Sequence, residues 1–368
     1  MTVGFFSPRP PAHTGVADYS AALLDAMQLG PIAVNSESAD IPLYHLGNNP
    51  LHREIYGRAL EKPGVIVLHD AVLHHFLLGL MSDHDYIAEF VYNYGAWSED
   101  LARNFLKNRA RSGSDPEFFR YPMLKRVIQR SLGVIVHNPR AAAMVLQHGP
   151  AARVYEIPHL FGTPDRLPAG FEAVRLRGRL GIAPHVFLFG VFGYLRESKR
   201  LAAVLRAYQR ASRDAEIALL VAGEFVSANF ARALDPLLNS TKGLYRTGYL
   251  NEREFWRYAA AVDAGISLRY PAAGETSGIS IRLLGIGKPV LVSNCEEIAG
   301  FPEATCLRID PGVVEEEMLA EYMVWLARYP DDAHAIGERA AAHVRTFHDP
   351  ARVAQLYWEA LADCYHRK

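Results

Sequence analysis

The chain has 368 residues, half of them hydrophobic, and a formal net charge of -1. At about 150 residues per domain, this length predicts two or three domains with ordinary cores. The near-zero charge excludes a polyanion and a protein that binds nucleic acid through its overall charge. Its three cysteines, Cys295, Cys306 and Cys364, form no C-x-x-C pair. This argues against a zinc cluster or a disulfide framework and for inert thiols in a reducing compartment.

The N-terminal stretch MTVGFFSPRPP lacks the charged start and the long apolar core of a signal peptide. No apolar run approaches the ~20 residues that a membrane span needs. We therefore expect a cytoplasmic protein, with peripheral attachment to a membrane surface left open.

The first half alternates short apolar strands with helices. Predicted strands cover 3–7, 31–34, 41–46, 64–68 and 133–137, and predicted helices cover 17–27, 51–60, 70–81 and 139–148. This alternation predicts a parallel sheet, which binds ligands at the carboxyl ends of its strands. Polar residues follow three of the strands: Ser7, then His69 with Asp70, then His137 with Asn138.

Residues 83–130 are predicted to be mostly helical and contain a basic segment, 101–130. This segment has eight Lys or Arg residues against Asp115 and Glu117, a net charge of +6. A solvated helix surface explains such a run as well as contact with an anionic acceptor or anionic membrane lipids does. In the membrane case, we expect weak and salt-sensitive adsorption.

A stretch rich in Gly and Pro, residues 161–168, predicts a linker, and a second alternating unit follows it. Predicted strands cover 186–193, 216–222, 244–247, 263–268, 289–293 and 305–309, and predicted helices cover 199–212, 226–238, 252–261, 314–327, 332–346 and 351–365. Two α/β halves of similar size imply a cleft between them, with ligands at facing strand ends.

The stretch 270–290, YPAAGETSGISIRLLGIGKPV, is predicted to run from a loop through a short helix into a strand. Thr276, Ser277 and Gly278 precede its apolar run, which is a helix-start signal. The first turn of a helix has free N–H groups and a partial positive charge, so it suits a phosphate. The Glu275 carboxylate would repel a phosphate and needs hydroxyl partners instead. The loop therefore suits a sugar nucleotide.

Basic residues follow the first predicted strand of the second half. Arg196 and Lys199 would lie at its carboxyl end, where they would neutralise a diphosphate leaving group. Ordinary surface charges are the alternative. Arg200 is expected to point to solvent.

Glycines end two further predicted strands, as Gly223 before Glu224 and as Gly248 before Tyr249. A glycine there allows close approach of a ligand, and Tyr249 or Leu250 would then lie against a base. Ordinary turn glycines explain each position equally well when it is taken alone.

Together these motifs resemble family 4 glycosyltransferases of the GT-B fold. The matching residues are Thr14 to Ser20, Leu46 to Asn49 with His52, Leu68 to Asp70, Val136 to Asn138, Gly193 with Lys199, Gly223 with Glu224, Thr247 with Gly248, Gly274 to Gly278, and Gly287 to Val290. The resemblance covers nearly the whole chain. It implies two Rossmann-like domains facing across a cleft: an acceptor domain at 1–163, a donor domain at 164–347, and a last segment, 348–368, that returns to the first domain.

The same resemblance implies retaining sugar transfer from a nucleotide donor, with no metal ion and no cofactor. By matching position, Gly15 would contact the diphosphate and the sugar. His69 would lie beside the donor sugar at the reacting centre, and Asp70 near the acceptor or His69. His74 and His75 are expected to be structural, while His137, His159 and Asp18 are further candidates.

The second half would then supply most of the donor site. Lys199, helped by Arg196, would hold the phosphates, and Glu275 would bind sugar hydroxyls. The backbone amides that would receive the diphosphate are those of Thr276, Ser277, Gly278 and Ile279.

Two positions depart from the family pattern. A second Glu usually follows the first by eight residues and contacts the ribose, but here that position is Leu283, preceded by Arg282. Either Glu224 or another group replaces it, or the donor is held differently. The basic residue often found after the phosphate-loop glycine is also missing, because Tyr194 follows Gly193.

The leading hypothesis is transfer of a hexose from a UDP- or GDP-sugar to a glycan or lipid-linked acceptor, in polysaccharide or glycoconjugate biosynthesis. A GT-B sugar-nucleotide epimerase or phosphorylase remains an alternative. A non-catalytic subunit that binds nucleotide sugars or glycans is another.

Overall fold

The computed structural model describes residues 1–28, 30–164, 167–168 and 170–367. Within these ranges the strands form two sheets of six, one from each half of the chain. All neighbouring strands pair in parallel. The predicted α/β architecture is therefore confirmed. Asp165 and Arg166 of the predicted linker, and Lys368 of the predicted last segment, lie outside the described residues.

The first sheet has the order β2-β1-β3-β4-β5-β6. Its strands are β1 (Val3–Phe6), β2 (Ile32–Val34), β3 (Ile41–Leu46), β4 (Val65–Leu68), β5 (Gly133–Val136) and β6 (Val154–Glu156). The strands inside the sheet are buried at every position, as is typical of parallel strands covered on both faces. The sequence analysis did not predict β6, an edge strand of three residues without a buried position.

Eight helices are described in the first half. They are α1 (Gly15–Ala26), α2 (Arg53–Glu61), α3 (His74–Leu80), α4 (Asp83–Tyr94), α5 (Glu99–Lys107), α6 (Pro116–Phe119), α7 (Lys125–Arg130) and α8 (Pro139–His148). The first helix begins at Gly15 because the Thr14 side chain caps it, accepting a hydrogen bond from the Val16 N–H at 3.4 Å.

The predicted helix over 70–81 is wrong in its first four residues, because α3 begins at His74. The N–H groups of Ala71 and Val72 both donate to the Ala273 carbonyl, at 2.8 and 3.0 Å. A contact with the second half of the chain thus keeps this segment extended out of the helix, and it holds Asp70 at the boundary between the two halves.

The second sheet has the order β12-β11-β10-β7-β8-β9. Its strands are β7 (Phe187–Phe192), β8 (Ile217–Ala222), β9 (Leu244–Thr247), β10 (Ala264–Ser267), β11 (Val290–Ser293) and β12 (Leu307–Ile309). The order reverses between β7 and β10, and the first sheet reverses between β1 and β3. Parallel sheets bind ligands beyond the carboxyl ends of strands at such switch points.

The helices described in the second half are α9 (Gly170–Arg179), α10 (Leu201–Ala211), α11 (Ala228–Ser240), α12 (Glu252–Ala261), α13 (Gly278–Gly285), α14 (Glu315–Arg328), α15 (Pro330–Phe347) and α16 (Pro350–His366). The sequence did not predict α9, whose single buried residue is Leu176. Its apolar periodicity is therefore too weak to mark a helix.

The last helix, α16, packs against the first sheet. Its buried residues Val353, Tyr357 and Leu361 join the apolar core around Val3 and Val65. The Tyr357 hydroxyl hydrogen-bonds to the Tyr19 hydroxyl at 2.7 Å. None of the described helices is long and apolar enough to cross a membrane.

Candidate functional site

The loop before α13 connects the two halves of the chain at the carboxyl ends of their sheets. The Asn138 side-chain amide, which also caps α8, donates to the Gly274 carbonyl at 3.0 Å and to Thr276 Oγ1 at 2.9 Å. The Thr276 hydroxyl lies 3.2 Å from the His137 carbonyl. Gly274 has a φ of +71°, and an added Cβ would lie 2.7 Å from the Cβ of Ala71. A glycine is therefore required at this approach.

Glu275 is held in place by groups of its own half. Its Oε1 accepts from Arg269 Nη1 at 2.9 Å, and its Oε2 accepts from the Ala273 N–H at 2.6 Å. Both charged side chains are mostly buried, at 16% exposure for Arg269 and 12% for Glu275. The carboxylate is thus oriented before any ligand arrives. Beside it lies a small pocket of about 30 Å³, lined in part by Ser267, Ser280 and Ser293.

Arg196, Lys199 and Arg269 form a group of three basic side chains within interaction range of one another, which we call the cationic triad. Lys199 is buried, and its Nζ donates to the Phe192 carbonyl at 2.5 Å. Burial, and then repulsion from Arg269 and Arg196, hold the pKa of Lys199 well below its usual value, while Glu275 opposes this shift. Two guanidinium groups and a buried amine within interaction range of one another make a site in which a bound anion would stabilise the positive charge.

Asp70 brings a carboxylate from the first half to the same place. Its Oδ2 accepts from the Asn48 N–H at 2.7 Å. Burial, and then the negative charge of Glu275, raise the pKa of Asp70 to about 6, although Asn48, Arg196 and Arg269 act in the opposite direction. The site therefore combines two carboxylates with the cationic triad.

The first turn of α13 points its free amides toward the boundary between the halves. Ser277 caps the helix, with its Oγ accepting from the Ser280 N–H at 3.2 Å. Gly278 follows, and a Cβ there would lie 3.3 Å from Nε2 of His159, a residue of the first half. Ile279 lies 3.6 Å from the Cβ position of Gly193. The predicted diphosphate amides are therefore adjacent to the loop that carries Arg196 and Lys199.

Gly15, at the start of α1, has open space beside it, since no heavy atom lies within 4 Å of a Cβ built there. A ligand can therefore approach its backbone. Gly248 at the end of β9 is equally open. Gly223 is different, because its Cβ would lie only 2.1 Å from the Gly193 carbonyl oxygen. Its glycine serves the packing of two strand ends, which was the ordinary alternative for this position.

His69 lies in a group of buried aromatic residues in the first half. Its Nε2 hydrogen-bonds to His45 Nδ1 at 3.0 Å, and its ring meets Tyr19 edge-on at 4.9 Å between centroids. Burial, followed by His45 and His137, holds the pKa of His69 well below its usual value. His69 is thus neutral and oriented by its neighbours, one residue before Asp70.

Tyr249, one of the two residues predicted to lie against a base, contacts the first half of the chain. Its hydroxyl lies 2.9 Å from His13 Nδ1, and the Tyr194 hydroxyl donates to the His13 carbonyl at 2.9 Å. Glu224 lies near Tyr194 and helps to raise the pKa of that phenol, behind burial and Tyr249. The carbonyl of Glu224 accepts from the Leu195 N–H at 2.8 Å.

Leu283 is fully buried, and a Cβ on Gly265 of β10 would lie 2.6 Å from its Cδ1. It therefore packs α13 onto the sheet and offers nothing to a nucleoside. Arg282, the preceding residue, forms an ion pair with Glu252 at the start of α12. Its guanidinium carbon lies 3.9 Å from the centroid of the Phe255 ring and 4.5 Å from that of Trp256.

Arg200 was expected to point to solvent, and this prediction is wrong. Its Nε donates to Glu315 Oε2 at 2.9 Å, and the Glu315 side chain is only 1% exposed. A buried carboxylate needs a charge partner, so Arg200 has a structural role that connects α10 with α14.

The basic segment 101–130 has a weaker surface charge than its net charge of +6 indicates, because five of its Arg residues form ion pairs with carboxylates. Three of these carboxylates precede the segment in the sequence. The pairs are Arg103–Glu99, Arg109–Asp83, Arg111–Asp115, Arg120–Glu117 and Arg126–Glu89. Counting charges within a sequence window omitted the acidic residues of α4 and α5. Membrane contact through this segment remains a proposal, and fewer unpaired positive charges support it.

Sequence reasoning missed Arg269 and the role of Asn138. Arg269 follows β10 with one residue between, so a basic residue just beyond a predicted strand was the available signal. Asn138 was noted at a strand end, but its partners lie 136 and 138 positions away. Among the described residues, no group of three or more His, Cys, Asp or Glu side chains is arranged to hold a metal ion.

No family profile matches the chain, and no curated protein matches its sequence. Solved structures do match its fold. HepE from Anabaena in complex with UDP-glucose is 15% identical, with a TM-score of 0.64 over 99% of this chain and 100% of that one. Sucrose-phosphate synthase from Thermosynechococcus elongatus is 14% identical, with a TM-score of 0.70 over 100% of both chains.

WaaG, a glycosyltransferase involved in lipopolysaccharide biosynthesis, is 14% identical, with a TM-score of 0.62 over 97% of this chain and 99% of that one. These likenesses extend over nearly the whole of each chain, but at these identities they establish the fold alone. The chain has the GT-B fold, with two Rossmann-like sheets whose carboxyl ends meet at the site described here.

Proposed function

We propose that the protein is a retaining glycosyltransferase. It transfers a hexose from a UDP- or GDP-sugar to a glycan or lipid-linked acceptor in polysaccharide or glycoconjugate biosynthesis. The observation that carries this proposal is the meeting of the cationic triad with Glu275 and Asp70 where the two sheets face each other. HepE was crystallised with UDP-glucose, which supports a UDP-sugar as the first donor to test.

In this proposal the diphosphate lies between the cationic triad and the first amides of α13, with the Gly15 backbone opposite. Breaking the sugar–phosphate bond leaves additional negative charge on the diphosphate, and preorganised cations stabilise such charge most where water is excluded. The triad supplies this positive charge from the chain itself, so the proposal assigns no step to a metal ion.

Glu275 binds hydroxyl groups of the donor sugar. Its two carboxylate oxygens are fixed by Arg269 and the Ala273 N–H, so their remaining lone pairs have set directions. His69 lies beside the sugar as a neutral side chain, and Asp70 lies on the acceptor side of the reacting carbon. A fixed hydrogen-bonding frame of this kind positions the sugar for reaction.

Retention follows if the acceptor hydroxyl attacks the anomeric carbon from the face that the diphosphate leaves. The bond from the carbon to the diphosphate oxygen breaks, the bond to the acceptor oxygen forms, and the acceptor proton passes to the departing diphosphate oxygen. Asp70 is the carboxylate to test for the other retaining route, in which it would attack the carbon first.

Calorimetry with UDP, GDP and ADP tests donor binding, and product analysis with labelled UDP-glucose tests the reaction. We expect binding of UDP or GDP, followed by a glycoside whose anomeric configuration matches the donor. Conversion of the sugar nucleotide without an acceptor would indicate an epimerase, and dependence on inorganic phosphate a phosphorylase. Tight donor binding without turnover across an acceptor panel would indicate a non-catalytic subunit.

A further inference from the structure

The nucleoside end of the proposed donor site is one helical turn away from its phosphate end. Arg282 lies four residues after Gly278 on α13, which is about 6 Å along the helix axis. Leu283 faces the sheet, so Arg282 is the side chain that α13 presents beside the phosphate-binding turn. A nucleotide whose diphosphate meets Gly278 would bring its ribose to this region.

Arg282 fixes a carboxylate there. Its Nη2 and the Trp256 indole N–H, at 2.7 Å, both donate to Oε1 of Glu252. The guanidinium group is itself held against the rings of Phe255 and Trp256. Among the described residues, no hydrogen-bond donor contacts Oε2 of Glu252, and this side chain is 59% exposed. Oε1 of Glu252 is thus fixed by two hydrogen bonds, while Oε2 is available to accept hydrogen bonds from a ligand.

The residues around Glu252 fit the entrance of a nucleotide-binding site. Gly248, four residues before it, has open space above its backbone. Asp18 on α1 lies close enough for Glu252 to raise its pKa, behind the larger effect of burial, while Arg282 and His13 act to lower it. The Glu252 carboxylate therefore lies within electrostatic range of α1, the helix that begins at Gly15.

We propose that Glu252 binds the ribose of the donor, with Oε2 accepting hydrogen bonds from the 2′ and 3′ hydroxyls while Oε1 stays on Arg282 and Trp256. This inference rests on the proposed function. Asp18 is the competing carboxylate, but in the part of the chain that the structure describes no hydrogen bond fixes its direction. A preorganised acceptor loses less freedom on binding and is the better partner for a diol.

The test compares calorimetric binding of UDP and of 2′,3′-dideoxy-UDP to the wild type and to Glu252→Gln. A hydrogen bond to a charged group corresponds to about 10- to 100-fold in affinity, so the wild type should prefer UDP by that factor. Glu252→Gln should lose most of this preference while it binds dideoxy-UDP as the wild type does. A structural effect through Arg282 or Trp256 would instead weaken both ligands equally.

Glu254→Gln is the matched control. It makes the same charge change two residues away, and Gln preserves the capping box that Glu254 forms with Asn251, so it should keep the wild-type preference. An unchanged preference for UDP in Glu252→Gln, or no preference in the wild type, would overturn the assignment. If neither UDP nor GDP bound the wild type, the result would contradict the proposed function itself rather than the role of Glu252 within it. If only GDP bound, GDP and 2′,3′-dideoxy-GDP would replace the uridine pair.

Discussion

The carboxylates of Asp70 and Glu275, from opposite halves of the chain, lie close enough for one to raise the pKa of the other. They are separated by 205 positions in the sequence. Their proximity depends on the loop before α13, whose Ala273 carbonyl receives two N–H groups from the segment that follows Asp70. Two like charges are therefore held together by backbone contacts, with the cationic triad beside them.

This arrangement predicts how stability depends on pH. The pKa of Asp70 rises from 3.8 to about 6 on folding, so the folded state holds the proton more tightly between these values. The contribution of Asp70 to the free energy of unfolding should then fall as pH rises through this window, by on the order of 1–3 kcal/mol. Buried histidines such as His69, whose pKa is lowered, act in the opposite direction, so the prediction concerns the difference between variants. Measured by urea unfolding at pH 4 to 7, the stability of the wild type relative to Asp70→Asn should decrease by this amount, while its stability relative to Asp235→Asn, a change at an exposed position on α11, should stay constant.

Lys199→Met removes the buried amine and keeps most of the side-chain volume. If Lys199 stabilises the departing diphosphate as other preorganised donors do, kcat should fall by about 100- to 1000-fold. Steady-state turnover of the identified donor measures this, with Lys242→Ala as a control for net charge at an exposed position. Turnover of Lys199→Met equal to that of the wild type would remove Lys199 from the mechanism.

Diphosphate binding should also be accompanied by proton uptake. Burial and two guanidinium groups hold the pKa of Lys199 well below its usual value in the free protein. A bound diphosphate favours the charged form and raises that pKa again. Calorimetry of UDP binding at several pH values between 7 and 10, in buffers of different ionisation enthalpy, should detect protons taken up, and Lys199→Met should take up fewer. Identical uptake by both proteins would mean that another group titrates.

Gly223→Ala should destabilise the protein without acting on a ligand directly. A Cβ at this position would lie 2.1 Å from the Gly193 carbonyl oxygen, a backbone atom that cannot move independently. Overpacking of this kind costs about 1–3 kcal/mol, measurable by denaturant unfolding. Gly248→Ala, at the end of the neighbouring strand and with open space above it, should change stability little and lower nucleotide affinity instead. Equal stability loss in both variants would contradict this distinction.

The sequence allowed the sheets to be predicted because their strands are continuous apolar runs between turn residues. It also allowed Lys199, Glu275 and the start of α13 to be identified, since each follows a strand or begins a helix. The edge strand β6 and the helix α9 were missed because neither has a strong apolar period.

Other features depend on contacts that no local pattern reveals. Whether Arg200 faces solvent is decided by Glu315, which lies 115 residues later. The early part of the predicted helix 70–81 is unwound by Ala273, about two hundred positions away. The proposed ribose partner could not be identified from the sequence for the same reason: Arg282 and Glu252 meet only after α12 and α13 have packed, and each alone resembles an ordinary surface charge.

The position of α16 has a consequence for how the protein is made. The first sheet is complete by Glu156, yet the helix that covers its core around Tyr19 begins only at Pro350. At about 5–20 residues per second, the intervening roughly 200 residues take on the order of 10–40 s to synthesise. During that time the first half lacks the helix that completes its core, which α1 alone covers only in part, while the second half emerges and can finish folding. The first half of the chain is thus the last to complete its core. A nascent chain stalled before residue 350 would therefore expose apolar surface that chaperones bind.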